Sequence, residues 1–370
     1  MKIGIFTFHC AQNYGAVLQA YGLQEYLLSQ GHDAYIIDYR PDYLVRMYQI
    51  ASYKHIRSLS LKTIIRELLV LPIRLRRAKA FNSFINKRLR LCKLDLYNEN
   101  NDFDAFVYGS DQIWNPRITE GFDDVYFGKI PATKGKLLFA YAASMGSTSQ
   151  LTETDKEYLK EALSHFSGIS VRENELKEML VNEIGVKASC VCDPVLLVGK
   201  ELFASIVVDK SVKSKRGTKS YLLLFQLEVI NDFIRPITKG VADKFGFKLM
   251  EIISRREVID FKVKQSCTPE ELLKHIKKAS YIITTSFHGT VLSILFGKQF
   301  NTIRIDPVTD SRAVELLAKL NIEECMVDLN NIVSSRIDYD CLQLELEKYV
   351  SESRNILNTY INDINYNSSI

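Results

Sequence analysis

The chain has 370 residues, with 48 Lys plus Arg against 44 Asp plus Glu for a formal charge of +4, and 46% of it is apolar. These are the proportions of an ordinary folded chain long enough for two domains, and they exclude disorder, collagen and coiled coil. A charge this close to neutral gives no global reason to expect nucleic acid as a partner, so any electrostatics must be local.

Strands alternate with helices from the first residues. Lys2 to Phe8 reads as a β-branched and aromatic strand. Met1 to Phe8 is too short for a signal-peptide core before His9, Gln12 and Asn13 interrupt it. Asn13 to Ser29 follows as a helix with Ala16, Ala20, Leu23 and Leu27 on one stripe, closed by Gly31. Strands are expected at Ala34–Asp38, Phe103–Tyr108, Lys136–Ala142 and Gly168–Val171, with a helix at Glu153–Ser164. A further helix and Lys187–Cys192 complete a first domain over residues 1–198. The polar stretch Asp209–Lys219 is the best linker signal, which sets a linker over 199–218.

A second unit over 219–335 repeats the rhythm. Its strands are expected at Tyr221–Phe225, Lys248–Ile253, Tyr281–Thr285 and Phe300–Ile305. Its helices are expected at Ile230–Phe245, Pro269–Lys278, His288–Phe296 and Ser311–Leu320. Within it, Ala279 to Gly297 carries no charge for 19 residues. It is long enough to cross a membrane, but its central Ser280, Thr284, Thr285, Ser286, His288 and Gly289 suit a buried strand, turn and helix better. Residues 336–370 read as an amphipathic C-terminal helix, with Leu342, Leu346, Val350, Leu357, Ile361 and Ile364 at helical spacing, packing back across the domains. The fold class is therefore α/β, with two facing Rossmann-like domains built on parallel sheets.

Seven cysteines are scattered from Cys10 to Cys341 with no CxxC pair. That argues against a disulfide framework and fits a reducing cytoplasm. No metal site is expected.

Ligands of open α/β sheets bind beyond the carboxyl ends of the strands, so the loops after each strand carry the chemistry. In the loop after the first strand, Asn13 and Gly15 read equally as a cap with a tight turn or as an anion seat at the helix's positive end. The glycine spacing is not that of a dinucleotide fold, and no Walker lysine motif is present. YGSDQIWNP, Tyr108–Pro116, offers Asp111 and Gln112 as hydrogen-bonding groups and Trp114 as an apolar face for a sugar. Trp114 can equally be core, and Asp111 a turn cap. Ser144 in AYAASMGS stands beyond the fourth strand. Arg172 in SVREN has the side chain best shaped for bidentate anion binding, against a surface salt bridge as the alternative. Asp193-Pro194 is read as a turn carboxylate. In TTSFHGTVLSILF, Thr285 or Ser286 can cap a helix and place His288 in its first turn beside Gly289, where an anion is favoured and the imidazole can move protons, against a satisfied core histidine as the alternative.

NYGAVLQAYGL, GSDQIWNP, AYAASMG, SVREN, DPVLL and SFHGTVLSILF occur in this order over roughly residues 1–320. Together they resemble the polysaccharide pyruvyl transferase family. The resemblance implies a GT-B-like arrangement and transfer of the enolpyruvyl group of phosphoenolpyruvate to a hexose of a surface polysaccharide or its lipid-linked precursor. The product is a pyruvate ketal, and no cofactor beyond this co-substrate is implied. His288 and Asp111 are then the expected catalytic pair. Arg172, Ser286, Gly289, Asn13 and Gly15 are assigned to the donor, and Gln112, Trp114 and Ser144 to the acceptor. Many relatives carry Arg-Leu-His where this chain has Ser286-Phe287-His288. Either Arg172, Arg255, Arg256, Arg304 or Arg312 compensates, or the donor differs, or activity is lost. A nucleotide-sugar glycosyltransferase and a non-catalytic carbohydrate-binding protein are the rival readings.

Residues 54–93 hold twelve Lys or Arg and a single acid, Glu67. They read as a covered helix with a solvated basic side or as a segment docking on anionic membrane, the latter bringing the protein to the inner face of the membrane.

Overall fold

The computed structural model describes residues 1–48, 61–207, 220–227, 233–254, 259–260, 262–332 and 336–367. Arg255, Arg256, residues 54–60 of the basic segment, residues 208–218 of the expected linker and residue 219 lie outside them.

The N-terminal half follows from runs of β-branched and aromatic residues alternating with helices. Its elements begin with β1 (Lys2–Phe6), α1 (Tyr14–Ser29), β2 (Asp33–Ile37), α2 (Asp42–Met47), α3 (Leu61–Arg88), β3 (Leu91–Cys92) and β4 (Ala105–Tyr108). They continue with β5 (Leu137–Ala143), α4 (Glu153–Leu163), β6 (Gly168–Val171), α5 (Asn174–Met179), β7 (Ser189–Cys190), α6 (Pro194–Leu197) and α7 (Gly199–Ser205). The strands form one parallel sheet in the order β3-β2-β1-β4-β5-β6-β7. Helix α7 occupies the start of the span expected as linker, and its Phe203 is fully buried, so that part of the chain is core.

The C-terminal half comprises β8 (Tyr221–Gln226), α8 (Ile234–Lys244), β9 (Lys248–Ile253), α9 (Pro269–Lys278), β10 (Tyr281–Thr284), α10 (Phe287–Leu295), β11 (Phe300–Ile303), α11 (Pro307–Lys319) and β12 (Met326–Val327). Its parallel sheet runs β12-β11-β10-β8-β9. Strands β4, β6, β10 and β11 are buried at every position, which a parallel sheet covered on both faces requires. The uncharged stretch around His288 is β10 followed by α10, and among the described residues no helix is long and apolar enough to cross a membrane.

Two helices join the halves. Helix α1 is buried almost all round rather than along one stripe, because it lies between its own sheet and the second domain. Its Tyr14 hydroxyl donates to the Cys267 carbonyl just before α9, 2.8 Å away. Helix α12 (Tyr339–Asn367) follows the second sheet yet packs on the first domain. There Ser353 Oγ accepts from the Cys192 amide at 2.9 Å, Arg354 donates to the Leu197 carbonyl, and Tyr360 Oη donates to the Ile169 carbonyl.

The basic helix α3 is of two kinds along its length. Towards its C-terminus Ala78, Ala80, Phe81, Phe84 and Ile85 are buried, Lys79 and Lys87 are solvated and Arg77 is buried with its Nε donating to the Gln265 carbonyl, whereas towards its N-terminus Ile65, Leu68, Leu69 and Leu75 are about half exposed or more.

Candidate active site

The carboxyl ends of β1, β4, β8 and β10 face a cleft between the domains, and its floor is built by helix starts. Thr284 ends β10, Ser286 has extended backbone, and its Oγ accepts from the Gly289 amide to start α10. His288 is thereby fixed in the first turn, and its side chain is 12% exposed. On the facing domain Asn13 starts α1 in the same way, its Oδ1 accepting from the Gly15 amide at 2.9 Å. A small cavity of about 150 Å³ lies between them, bordered by Asn13, Asp111, Gln112, Ser286, His288 and Arg312.

The two helix starts touch. A Cβ placed on Gly15 would fall 2.1 Å from Nδ1 of His288, so only glycine leaves room for the imidazole. On its other side, Nε2 stands 3.3 Å from Asp193 Oδ2, in ion-pair range but without an aligned hydrogen bond. Asp193 caps α6 through Oδ1, which accepts from the Val195 amide, while Oδ2 accepts from Arg172 Nη1 at 2.7 Å. Burial alone would raise the Asp193 carboxyl, but His288 and Arg172 hold it well below the usual carboxylate range. The Arg172 guanidinium is buried as well, and although burial works against its charge, Asp193, Glu173 and Asp111 keep it firmly protonated. The result is a buried relay, Arg172 to Asp193 to His288, that spans both domains and orients the imidazole from behind.

Phe287 separates this cleft from a second cavity of about 520 Å³ between α5, α11 and α12. The guanidinium carbons of Arg172 and Arg312 each lie 5.3 Å from its ring centroid, in cation–π range.

Asn13, Asp111, Gln112, Ser286 and His288 therefore gather at one place. Asp111 is largely buried, and its Oδ1 accepts from the Gln112 amide and lies 4.0 Å from Arg172 Nη2. Other expected site residues need correction. Trp114 is fully buried, stacked on Phe127, and donates from Nε1 to the Tyr126 carbonyl; its size and apolar surface serve the core, so no face is left for a sugar. Ser144 is sealed in against Glu173, to which its hydroxyl donates. Gly289 cannot offer its amide to a ligand because Ser286 takes it, and the glycine is needed because a Cβ would meet Thr284 Oγ1 at 2.1 Å. Gly15 makes room for His288, its amide being spent on Asn13. Arg172 borders the rear cavity rather than the cleft.

Asp193 is the functional position that sequence reasoning assigned to a turn. Its signal was present, an Asp-Pro cap directly after a strand, but a cap is a complete local explanation, and nothing local reveals that the second carboxylate oxygen reaches an arginine 21 residues away and a histidine in another domain. Thr285 was named only as a possible cap, yet its Oγ1 is buried without a protein partner on the cleft wall. Among the described residues no cluster of three His, Cys, Asp or Glu is arranged to hold a metal ion.

Two parallel-sheet domains facing each other across a ligand cleft define the GT-B class of fold. The solved structure of UGT89C1 from Arabidopsis thaliana shares it over 98% of this chain and 99% of its own, with a TM-score of 0.50 at 11% identity. A UDP-GlcNAc 2-epimerase from Neisseria meningitidis bound to UDP-GlcNAc matches over 94% and 99% of the two chains, at 10% identity and a TM-score of 0.45. No curated protein matches in sequence. Within that fold class the family model described as polysaccharide pyruvyl transferase matches residues 13–307, and the chain belongs to this family of transferases.

Proposed function

We propose that the protein transfers the enolpyruvyl unit of phosphoenolpyruvate to a hexose of a polysaccharide or its lipid-linked precursor, forming a cyclic pyruvate ketal. The single observation that carries this reading is His288, held at the positive end of α10 by Asp193 and Gly15 and facing Asp111 across a cleft sized for a small donor.

The donor's enol phosphate needs a proton on its methylene carbon before its central carbon can accept an oxygen nucleophile. His288 delivers that proton, and the buried Asp193 carboxylate orients its ring from behind. One sugar hydroxyl, oriented by Asp111 and Gln112, bonds to the central carbon and gives up its proton, which restores the charged imidazole. A second hydroxyl of the same sugar then bonds to that carbon as the carbon–oxygen bond to phosphate breaks. Its proton leaves with the phosphate, so the two hydroxyl protons end in the new methyl group and on inorganic phosphate. First-turn amides of α10 and the start of α1 favour the anionic donor.

The test is release of phosphate from phosphoenolpyruvate in the presence of a panel of hexosides, with wild-type protein and His288→Ala. A loss of turnover of about 10²- to 10⁴-fold is expected for a proton-transfer residue. Near wild-type turnover in His288→Ala would remove the histidine from the mechanism.

We propose also that α3 rests on an anionic membrane surface. Exposed Ile65, Leu68, Leu69 and Leu75 form an apolar end, and Lys62, Arg76, Lys79 and Lys87, solvent-facing on the same helix, supply the positive charge that phospholipid headgroups attract.

A further inference from the structure

Ser286 offers no charge to an anionic donor, and its hydroxyl is occupied as the cap of α10. Five arginines were candidates to supply the missing cation. Arg255 and Arg256 lie outside the described residues. Arg304 is half exposed and pairs with Asp328 at 3.5 Å. Arg172 is spent on Asp193 and stands behind Phe287. Arg312 is different. It comes from α11, borders both the cleft and the rear cavity, and among the described residues it has no carboxylate in ion-pair range and no hydrogen-bond partner.

A partly buried guanidinium without a counter-ion is costly, because desolvation is not offset by pairing. Burial, reinforced by the neighbouring Arg172, pulls the Arg312 pKa below that of an ordinary arginine, while Glu173, Asp111 and Asp193 lean the other way from a distance. The Phe287 ring gives it a flat surface to lie on, so its N–H fork stays presented rather than folded away. Around it the cleft offers Thr285 Oγ1, buried without a partner, and the start of α10.

We infer that Arg312 is the donor-binding cation of this protein, bordering the cleft from α11 and gripping an anionic group of the donor against the start of α10. The inference rests on the pyruvyl-transfer reading above. A guanidinium fork matches a carboxylate and a phosphate equally well, and the donor carries both, so the experiment is built to separate them.

Wild type, Arg312→Ala, Arg312→Lys and Arg304→Ala are compared by calorimetric titration with phosphoenolpyruvate, and by steady-state kinetics with inorganic phosphate and pyruvate as inhibitors. Arg312→Ala is expected to weaken donor binding by about 10²-fold, the loss typical of removing one side of a charged, desolvated contact, with acceptor KM unchanged. Arg312→Lys keeps the charge but not the fork, and recovers only part of the affinity. Arg304→Ala binds as wild type. Without donor, Arg312→Ala melts no lower than wild type, since no internal ion pair is lost; donor-induced stabilisation is what disappears. Whichever inhibitor loses its effect in Arg312→Ala identifies the end that is held. Donor affinity within about threefold of wild type in Arg312→Ala, with both inhibitors intact, overturns the inference and leaves the pyruvyl-transfer reading standing. Absence of phosphoenolpyruvate binding by the wild type overturns that reading itself, and the assignment of Arg312 with it.

Discussion

The imidazole of His288 lies against Gly15, and the missing side chain of that glycine is the space the ring occupies: a Cβ would stand 2.1 Å from Nδ1. One residue starts a helix in the first domain and the other starts a helix in the second, so the contact sets the distance between the domains at the point where the chemistry is proposed.

Gly15→Ala should therefore separate stability from activity. Alanine favours the helical backbone by roughly 1 kcal/mol over glycine, so the first domain keeps its stability while the ring is displaced. A displacement of about 1 Å is enough to cost on the order of 10²-fold in kcat. Circular dichroism melts beside kcat measurements check both halves, and unchanged kcat would show that the ring tolerates the shift.

Asp193→Asn tests the buried relay and carries a pH sign. The folded pKa of Asp193 is held below its ordinary value of 3.8, so its stabilisation is present above about pH 4 and fades as pH falls towards the folded value. At pH 7 the variant should lose about 3 kcal/mol, because Arg172 is left buried opposite a neutral amide. The gap to wild type should narrow below pH 4. Urea denaturation at pH 7 and pH 3 measures it, and a gap independent of pH would mean that the charge of Asp193 contributes nothing.

For Trp114→Phe the expectation is a loss of about 1–3 kcal/mol in stability, from the smaller ring and the unpaired Tyr126 carbonyl, with acceptor KM unchanged. A raised acceptor KM at unaltered stability would return the indole to the sugar site.

The α3 proposal is checked by flotation with vesicles. Binding is expected to vesicles containing phosphatidylserine, and to weaken at high salt or in a Leu68→Ser/Leu69→Ser double variant. Equal recovery of the double variant and wild type with the vesicles would place the contact elsewhere.

The rhythm of the sheets was legible because fully buried parallel strands must be apolar runs, as Tyr281–Thr284 and Ala105–Tyr108 are. Residues following strands were legible too, since strand ends point at the cleft; Asn13, Asp111, Ser286 and His288 all meet there. What escaped is what depends on distance across the fold. Trp114 sits in a loop rich in polar residues, and only the packing of Phe127 and Tyr126 makes it core. Asp193 looks like any helix cap until its second oxygen finds Arg172. Arg312 was one of five arginines alike in sequence, and its isolation from carboxylates exists only in three dimensions.

The placement of α12 bears on how the molecule is made. Tyr360 fills the space above Gly168, where a Cβ would come within 2.4 Å of its ring, and Ser353 and Arg354 hold the ends of β7 and α6. A ribosome therefore emits the N-terminal sheet long before it emits the helix that covers it. Until α12 leaves the exit tunnel, the nascent first domain has an uncovered apolar face around Gly168. Synthesis of α12, not of the first sheet alone, is therefore the step that closes this face of the first domain.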